Sequence, residues 1–376
     1  MSIRLPEIRQ KFIMAQEGRI DMPNPTERCT AMSFPLLNWY HDNCRTLPWR
    51  SDPTPYHVWV SEIMLQQTRV AAVLGYYARF MEALPTVAHL AQVEEDVLLK
   101  LWQGLGYYNR ARNLQKAARQ IMERHGGQFP SSYLEILALP CVGEYTAGSI
   151  ASIAFGQAVP AVDGNVLRVI TRITGDTGDI TRPETKKRVR QLLLDTMPRN
   201  LPGAYNQALM ELGALVCLPN GAPDCARCPV QAFCTAFLEG KTDALPVKPE
   251  KRARKVENRT VYLIFYKNKV ALRRRPQSGL LARLWEFPNE LSTAVPFFVE
   301  KTSPARPGPT GKHIFTHREW HMDSLLLEAE TPALPKGWVW ASLEELEEVY
   351  AVPNAFDAFR PVVFQRLRGL PPQPNE

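Results

Sequence analysis

The sequence predicts a mainly α N-terminal domain followed by a smaller α+β C-terminal domain. Three observations carry this reading. The chain has 376 residues, more than one hydrophobic core usually organises. From about Phe34 to Leu238, apolar residues recur three and four apart, with Gly or Pro closing each run, which is the helical period. After "GKTDALPVKPEKRARKVENR", rich in Pro, Lys and Arg, the texture changes to short β-branched and aromatic runs.

The helical segments include "VWVSEIMLQQTRVAAVLGYYARFMEAL", "VEEDVLLKLWQGLG", "NRARNLQKAARQIMERHGG", "YTAGSIASIAFG" and "NVLRVITRITG". Beyond the linker, "TVYLIFYKNKVALRRR" reads as a β-hairpin around a Lys-Asn-Lys turn. "HREWHMDSLLLEAE" and "GWVWAS" read as strands, "ASLEELEEVY" and "FDAFRPVVFQRLRG" as helices. The expected organisation is an N-terminal extension over 1–32, a helical domain over 33–240, a basic linker over 241–258 and the α+β domain over 259–370. Apolar residues make up 45% and charged residues 22%, ordinary for a globular protein. A formal net charge of +7 with pI near 9.0 leans towards a polyanionic partner. The first 32 residues hold no long apolar run, so no signal peptide is expected, and no later run is long enough to span a bilayer. A cytosolic or organelle-matrix protein with reduced thiols is therefore expected.

The cysteines are unevenly spread. Cys29, Cys44 and Cys141 stand alone, whereas Cys217, Cys225, Cys228 and Cys234 form "CLPNGAPDCARCPVQAFC", a C-x7-C-x2-C-x5-C spacing. Four thiols in so short a segment can close around one metal centre, and spacing alone leaves zinc and a [4Fe-4S] cluster open. A helical domain ending in such a cluster resembles the endonuclease III superfamily of base-excision DNA glycosylases. That resemblance implies a [4Fe-4S] cluster on the four cysteines, although the first gap is one residue longer than the family's usual spacing. "LPCVGEYTAGSIASIAFG", from Leu139, resembles the superfamily's helix-hairpin-helix, with its Leu-Pro-Gly-Val-Gly core. A tight turn leading into a helix N-terminus aims backbone N–H groups outward, where they bind phosphate without reading sequence. Val142 and Gly143 are the expected DNA-binding residues there. Cys141 stands where the family has Gly, which strains the turn if that position needs a positive φ. Arg110, Arg112, Lys116 and Arg119 would add positive charge.

"SEIMLQQT" raises the question of chemistry. Glu62 sits between Val60 and Ile63 in an apolar run; Glu62, Gln66 and Arg69 fall at i, i+4 and i+7, which a solvated helix stripe would also explain. Buried, Glu62 would have its pKa raised and could carry a proton. Asp163, in "VDGNVLRVITRI", suits a helix N-cap, where the dipole and N–H donors would keep it ionised. Two carboxyls pushed in opposite directions form the acid/base pair of glycosidic cleavage. The lyase branch of the superfamily carries a Lys where this chain has Tyr145, and a phenol cannot form a Schiff base.

"WVSEIMLQQT", "LWQGLGYYNRARNL" and "VDGNVLRV" resemble the motifs of the adenine DNA glycosylases, the MutY family. The resemblance implies that Glu62 protonates adenine N7, that Asp163 stabilises the oxocarbenium-like sugar, and that Tyr145 and Asn165 support the same centre. It maps the residues that enter the DNA stack onto Gln67 and Tyr107. "RPQSGLLARLWEFPNEL" and "HIFTH" resemble the family's Nudix-like C-terminal domain, which inspects the opposite strand for 8-oxoguanine. Its reading loop would be Phe315, Thr316 and His317, with Thr in place of the usual Ser. "LWEFPNELSTAVPF" lacks the Glu-dense helix that holds magnesium in Nudix hydrolases. The expected partner is double-stranded DNA carrying adenine opposite 8-oxoguanine or guanine, met by a monomer in the cytoplasm at the nucleoid, or in a nucleus or organelle matrix. The alternatives are a thymine-mismatch or endonuclease III-like glycosylase, or a non-catalytic lesion-binding protein.

Overall fold

The computed structural model describes residues 23–219, 221–249, 253–291 and 304–370. Most of the expected N-terminal extension, residues 1–22, lies outside them. The chain forms two compact units that do not follow sequence order. Unit 1 takes residues 1–70 and 116–250; unit 2 takes 71–115 and 251–376.

Unit 1 is helical. Helix α1 (Pro25–Asn43) begins nine residues before Phe34, because Asn24 and Glu27 form a reciprocal capping box and Pro25 opens the first turn. Helix α2 (Pro55–Leu65) is capped by Thr54. It ends at Leu65, so Glu62, Gln66 and Arg69 do not share a helical stripe: Glu62 is buried and Arg69 is exposed beyond the helix. Helix α6 (Glu144–Phe155) packs on α2, and α9 (Pro202–Leu215) packs on both α6 and α7 (Gly164–Thr174). Gly156 and Gly175 terminate α6 and α7 at φ 65° and 72°. Cys29, Met32 and Leu36 of α1 share one core with Val166, Val169 and Ile170 of α7, Tyr205 and Leu209 of α9, and Val189 and Leu193 of α8 (Pro183–Thr196). Close approach depends on two glycines. A Cβ at Gly148 would sit 2.5 Å from the Pro160 carbonyl oxygen, and one at Gly213 would sit 2.6 Å from Asn165 Cβ.

In unit 2, α3 (Val70–Ala83) and α4 (Glu95–Leu101) precede the first turns of α5 (Asn109–His125); Phe80 and Trp102 meet edge to face at 5.9 Å. The strands anticipated at the hairpin, at "HREWHMDSLLLEAE" and at "GWVWAS" form, and among the described residues four short strands that the patterns did not mark join them. Strands β1 (Lys255–Tyr266) and β2 (Lys269–Arg274) make the expected hairpin, pairing Tyr266 with Lys269 across a Lys267-Asn268 turn. Strand β1 begins inside the segment expected as linker, since it pairs in parallel with β7 (Arg318–Glu328) from Lys255 onward. The path β3 (Trp285–Glu286), β2, β1, β7, β5 (Arg306–Pro307) carries β4 (Asn289–Leu291) on β1, β6 (Gly311–Ile314) on β7 and β8 (Trp338–Ala341) on β2. Val261, Leu263, Phe265, Trp320 and Met322 of the sheet bury against Phe356, Phe359 and, in helix α11 (Arg360–Leu367), Val363. Helix α10 (Leu343–Glu348) opens on a Ser342 capping box.

Among the described residues no helix is long and apolar enough to cross a membrane. Cys141 adopts φ 59°, so its position does demand the left-handed region that favours glycine, and its side chain is exposed. Cys141→Gly is therefore expected to stabilise the protein by about 0.5–1 kcal/mol, the left-handed strain less glycine's extra freedom when unfolded; a higher denaturant midpoint at unchanged slope checks it.

Candidate active site

The sequence places Glu62 two turns into α2, and the fold turns it inward, at 7% exposure. The Tyr145 hydroxyl, in the first turn of α6, donates to Glu62 Oε2. Burial raises the Glu62 pKa; the hydrogen bond from Tyr145 opposes the rise, and nearby Asp163 adds to it. Asp163 is the N-cap of α7, as expected. Its Oδ1 accepts the Val166 N–H at 2.7 Å and its Oδ2 accepts Asn165 Nδ2 at 2.8 Å. The expectation of opposite shifts is not met: burial raises Asp163 as well, outweighing the Val166 and Asn165 donors and the Arg168 charge.

The two carboxyls still differ in kind. Peptide and amide N–H groups only donate, so Asp163's partners favour its anion. Hydroxyls donate or accept, so Glu62 keeps its hydrogen bond to Tyr145 when protonated. Glu62 thus has a partner that suits either protonation state, whereas the donors on Asp163 suit its anion.

Asn165 is held in turn. Buried Arg168 donates to Asn165 Oδ1 at 2.8 Å, to the Gly213 carbonyl at 2.8 Å and to the Cys217 carbonyl at 2.8 Å. A continuous hydrogen-bonded path therefore runs from the first clustered cysteine to Asp163. Glu62, Asp163, Tyr145 and Asn165 line one cleft of about 730 Å³, with Gln67 on the same cleft. Gln67 adopts φ 59° and is exposed.

Sequence reasoning missed three residues here. Arg45, Arg50 and Glu211 also line the cleft. Glu211 accepts Arg45 Nε at 2.7 Å and Arg50 Nη2 at 2.8 Å. Burial would raise its pKa, but those donors prevail and hold it down at about 2. The available signal was the one that marked Glu62, an acid flanked by apolar residues, here Met210 and Leu212.

The hairpin residues are only partly as expected. Gly143 is exposed and caps α6 at an ordinary φ of −91°. Val142 is buried, and its N–H closes a turn on the Leu139 carbonyl at 3.2 Å, which leaves it no donor for phosphate. Cys217, Cys225, Cys228 and Cys234 are all free thiols facing one cavity of about 30 Å³. Arg172 donates to Cys217 Sγ at 3.2 Å. Among the described residues no three His, Cys, Asp or Glu side chains are grouped to hold a single metal ion.

In unit 2, Tyr107 and Phe315, Thr316 and His317 line a second cleft of about 590 Å³. The Phe315 N–H donates to the Arg318 carbonyl at 2.8 Å, folding the three residues into the tip between β6 and β7. Phe315 packs on Trp320 at 4.8 Å between ring centres. Thr316 and His317 are exposed, and Thr316 Oγ1 lies 2.8 Å from Tyr107 Oη. Tyr107 itself has φ 49°.

Residues 60–195 match the HhH-GPD superfamily of base excision DNA repair proteins, and residues 260–360 match the NUDIX domain. A solved thermostable thymine-DNA glycosylase shares the fold, with 26% identity and a TM-score of 0.52 over 57% of this chain and 98% of that one. Fold and site together thus define an HhH-GPD base-excision DNA repair protein with a Nudix-like C-terminal region, as the motifs anticipated. The rat adenine DNA glycosylase is 36% identical over 413 residues, 90% of this chain and 79% of the rat protein. The mouse adenine DNA glycosylase is 37% identical over 333 residues, covering 75% of this chain but 64% of the mouse protein, just under two thirds. The chain belongs to the adenine DNA glycosylase family.

The Glu211 cluster predicts an acid limb of stability. Its carboxyl is held below the unfolded value, so the stabilisation is complete above about pH 5 and is lost as pH falls towards 2, roughly 3 kcal/mol in all. Glu211→Gln should lower stability at neutral pH and flatten that limb in denaturant titrations run from pH 7 to pH 3.

Proposed function

We propose that this protein hydrolyses the N-glycosidic bond of adenine paired with 8-oxoguanine or guanine in duplex DNA, leaving an abasic site. The observation that carries the reading is the buried Glu62 carboxyl, hydrogen-bonded to Tyr145 in the cleft that also holds Asp163. An adenine rotated into that cleft takes the Glu62 proton at N7. The C1′–N9 bond then breaks with its electron pair going to the base, which leaves uncharged. The sugar becomes an oxocarbenium-like cation, and the Asp163 carboxylate, fixed by Val166 and Asn165, stabilises that charge. Water adds to C1′ and gives up a proton, which restores the acid. With Tyr at position 145 there is no amine to form a Schiff base, so the reaction stops at base release.

DNA contacts fit the same reading. The Gly143 end of α6 receives a phosphate, Gln67 and Tyr107 are the residues that enter the DNA stack, and the tip Phe315-Thr316-His317 inspects the opposite base through the Thr316 hydroxyl. Cys217, Cys225, Cys228 and Cys234 are the residues that would hold a [4Fe-4S] cluster. Support comes from their arrangement around one cavity rather than one point, and from the guanidinium of Arg172 at Cys217. Burial pushes the Cys228 thiol up to about 12 and Cys234 to about 11, so their thiolate forms need the positive charge that iron supplies when bound.

Excision is measured on a duplex with one adenine opposite 8-oxoguanine, followed by alkali. Strand cleavage at the adenine is expected, and its absence counts against the reading. A thymine·guanine duplex serves as the rival substrate, and cleavage of that duplex alone would favour a thymine glycosylase. Glu62→Gln should reduce the single-turnover rate by about 10³-fold or more while duplex binding persists; a fully active variant would remove Glu62 as the acid. The purified protein should be brown, with visible iron–sulfur absorption, and a colourless, zinc-loaded protein would refute the cluster.

A further inference from the structure

The loop that carries Tyr107 is strained and is anchored from a distance. Gly104, Gly106 and Tyr107 take φ values of 105°, 69° and 49°, so three residues in four lie in the left-handed region, one of them not glycine. A Cβ at Gly104 would fall 1.8 Å from the Tyr76 hydroxyl, so the backbone presses directly on that ring. Inside the loop, Arg110 Nη2 donates to the Leu105 and Gly106 carbonyls at 3.0 and 3.2 Å. Such a turn persists only where its surroundings over-determine it.

Those surroundings come from residues about 250 positions later in the same compact unit. Gln103 Nε2 donates to the Val352 carbonyl at 2.8 Å, and Asn354 Nδ2 donates to the Gly104 carbonyl at 3.2 Å. Lys100 Nζ donates to the Leu346 and Tyr350 carbonyls at 2.9 and 3.3 Å. At the tip, Tyr107 Oη and Thr316 Oγ1 are 2.8 Å apart. The acceptors at Leu346, Tyr350 and Val352 are main-chain groups of α10 and the turn behind it, so Lys100 and Gln103 are held by the fold of the C-terminal region, while Asn354 contributes a side-chain donor of its own.

We propose that Lys100, Gln103 and Asn354 are positioning residues that fix the Tyr107 wedge to the C-terminal region, so that the wedge and the opposite-base reader move as one body. This rests on the reading of Tyr107 as the residue that enters the DNA stack. Base inspection at Thr316 and insertion at Tyr107 are then mechanically one event. A residue that touches no DNA, Asn354, thereby governs how well the rotated adenine is replaced.

The test is the double substitution Gln103→Met with Asn354→Ala in the full chain, which removes two donors without adding charge. Hydrogen exchange in the free protein should quicken about tenfold at the amides of residues 104–108, the loss of about one net hydrogen bond's worth of local stability. Amides of α7 should keep their parent rates, which excludes general unfolding. With 2-aminopurine in place of the adenine opposite 8-oxoguanine, the unstacking fluorescence of the double variant should fall several-fold. Parent-like exchange over 104–108 overturns the proposal, and so does faster exchange with undiminished unstacking. A parent protein that excises adenine yet shows no unstacking would contradict the role of Tyr107, whereas a parent that excises nothing contradicts the glycosylase reading; in both cases the exchange rates still judge the anchorage.

Discussion

The hydrogen bond between the Tyr145 hydroxyl and the Glu62 carboxyl is the constraint around which unit 1 is arranged. A carboxyl can be kept away from water only if a partner accompanies it, because an unpaired buried charge costs several kcal/mol or more. Tyr145 can serve because the turn at Leu139–Gly143 starts α6 directly opposite α2. Gly148, four residues from Ser152 on the same helix, lets α6 close against the Pro160 carbonyl. Removing that closeness would lift Tyr145 away and open Glu62 to solvent, where its proton would be released well below neutral pH.

Asp163 obeys a different logic. Its place at the N-cap of α7 satisfies the helix's own orphan donors, so one carboxylate serves both folding and the proposed chemistry. Helix α7 is then pinned at its start by Arg168, whose acceptors include the main chain at Gly213 and Cys217. Arg172, one turn on, reaches Cys217 Sγ and the Leu218 and Leu245 carbonyls. Two buried arginines thus translate the shape of the cysteine loop into the position of a carboxylate. A shift of the cysteine loop would be felt at Asp163 through the main chain at Gly213 and Cys217.

How much of this could be read from the letters depended on how local each signal was. Glu62 was legible because an acid inside an apolar run is anomalous, and Asp163-Gly164-Asn165 because caps are written within three residues. The β1–β2 hairpin was legible for the same reason: alternating burial and its turn lie within about a dozen residues. Arg45, Arg50 and Glu211 were not, since their significance exists only where segments some 160 residues apart meet. The start of α1 was missed because its first turn is polar and its stability comes from the cap. The shift of Asp163 ran against expectation because capping donors are visible in sequence and burial is not. The engagement of the Val142 N–H in the hairpin's own turn was not legible, since it depends on how the turn closes.

The division of the chain has a consequence for how the protein comes into being. Residues 71–115 are synthesised early, yet the carbonyls that receive Lys100 and Gln103 belong to residues near 350. During translation that stretch must wait until residues near 350 have left the ribosome. Such late-closing contacts slow folding and lengthen the interval in which a nascent chain invites chaperones or aggregation. Chain growth halted before residue 346 would leave the Lys100 and Gln103 side chains without these acceptors.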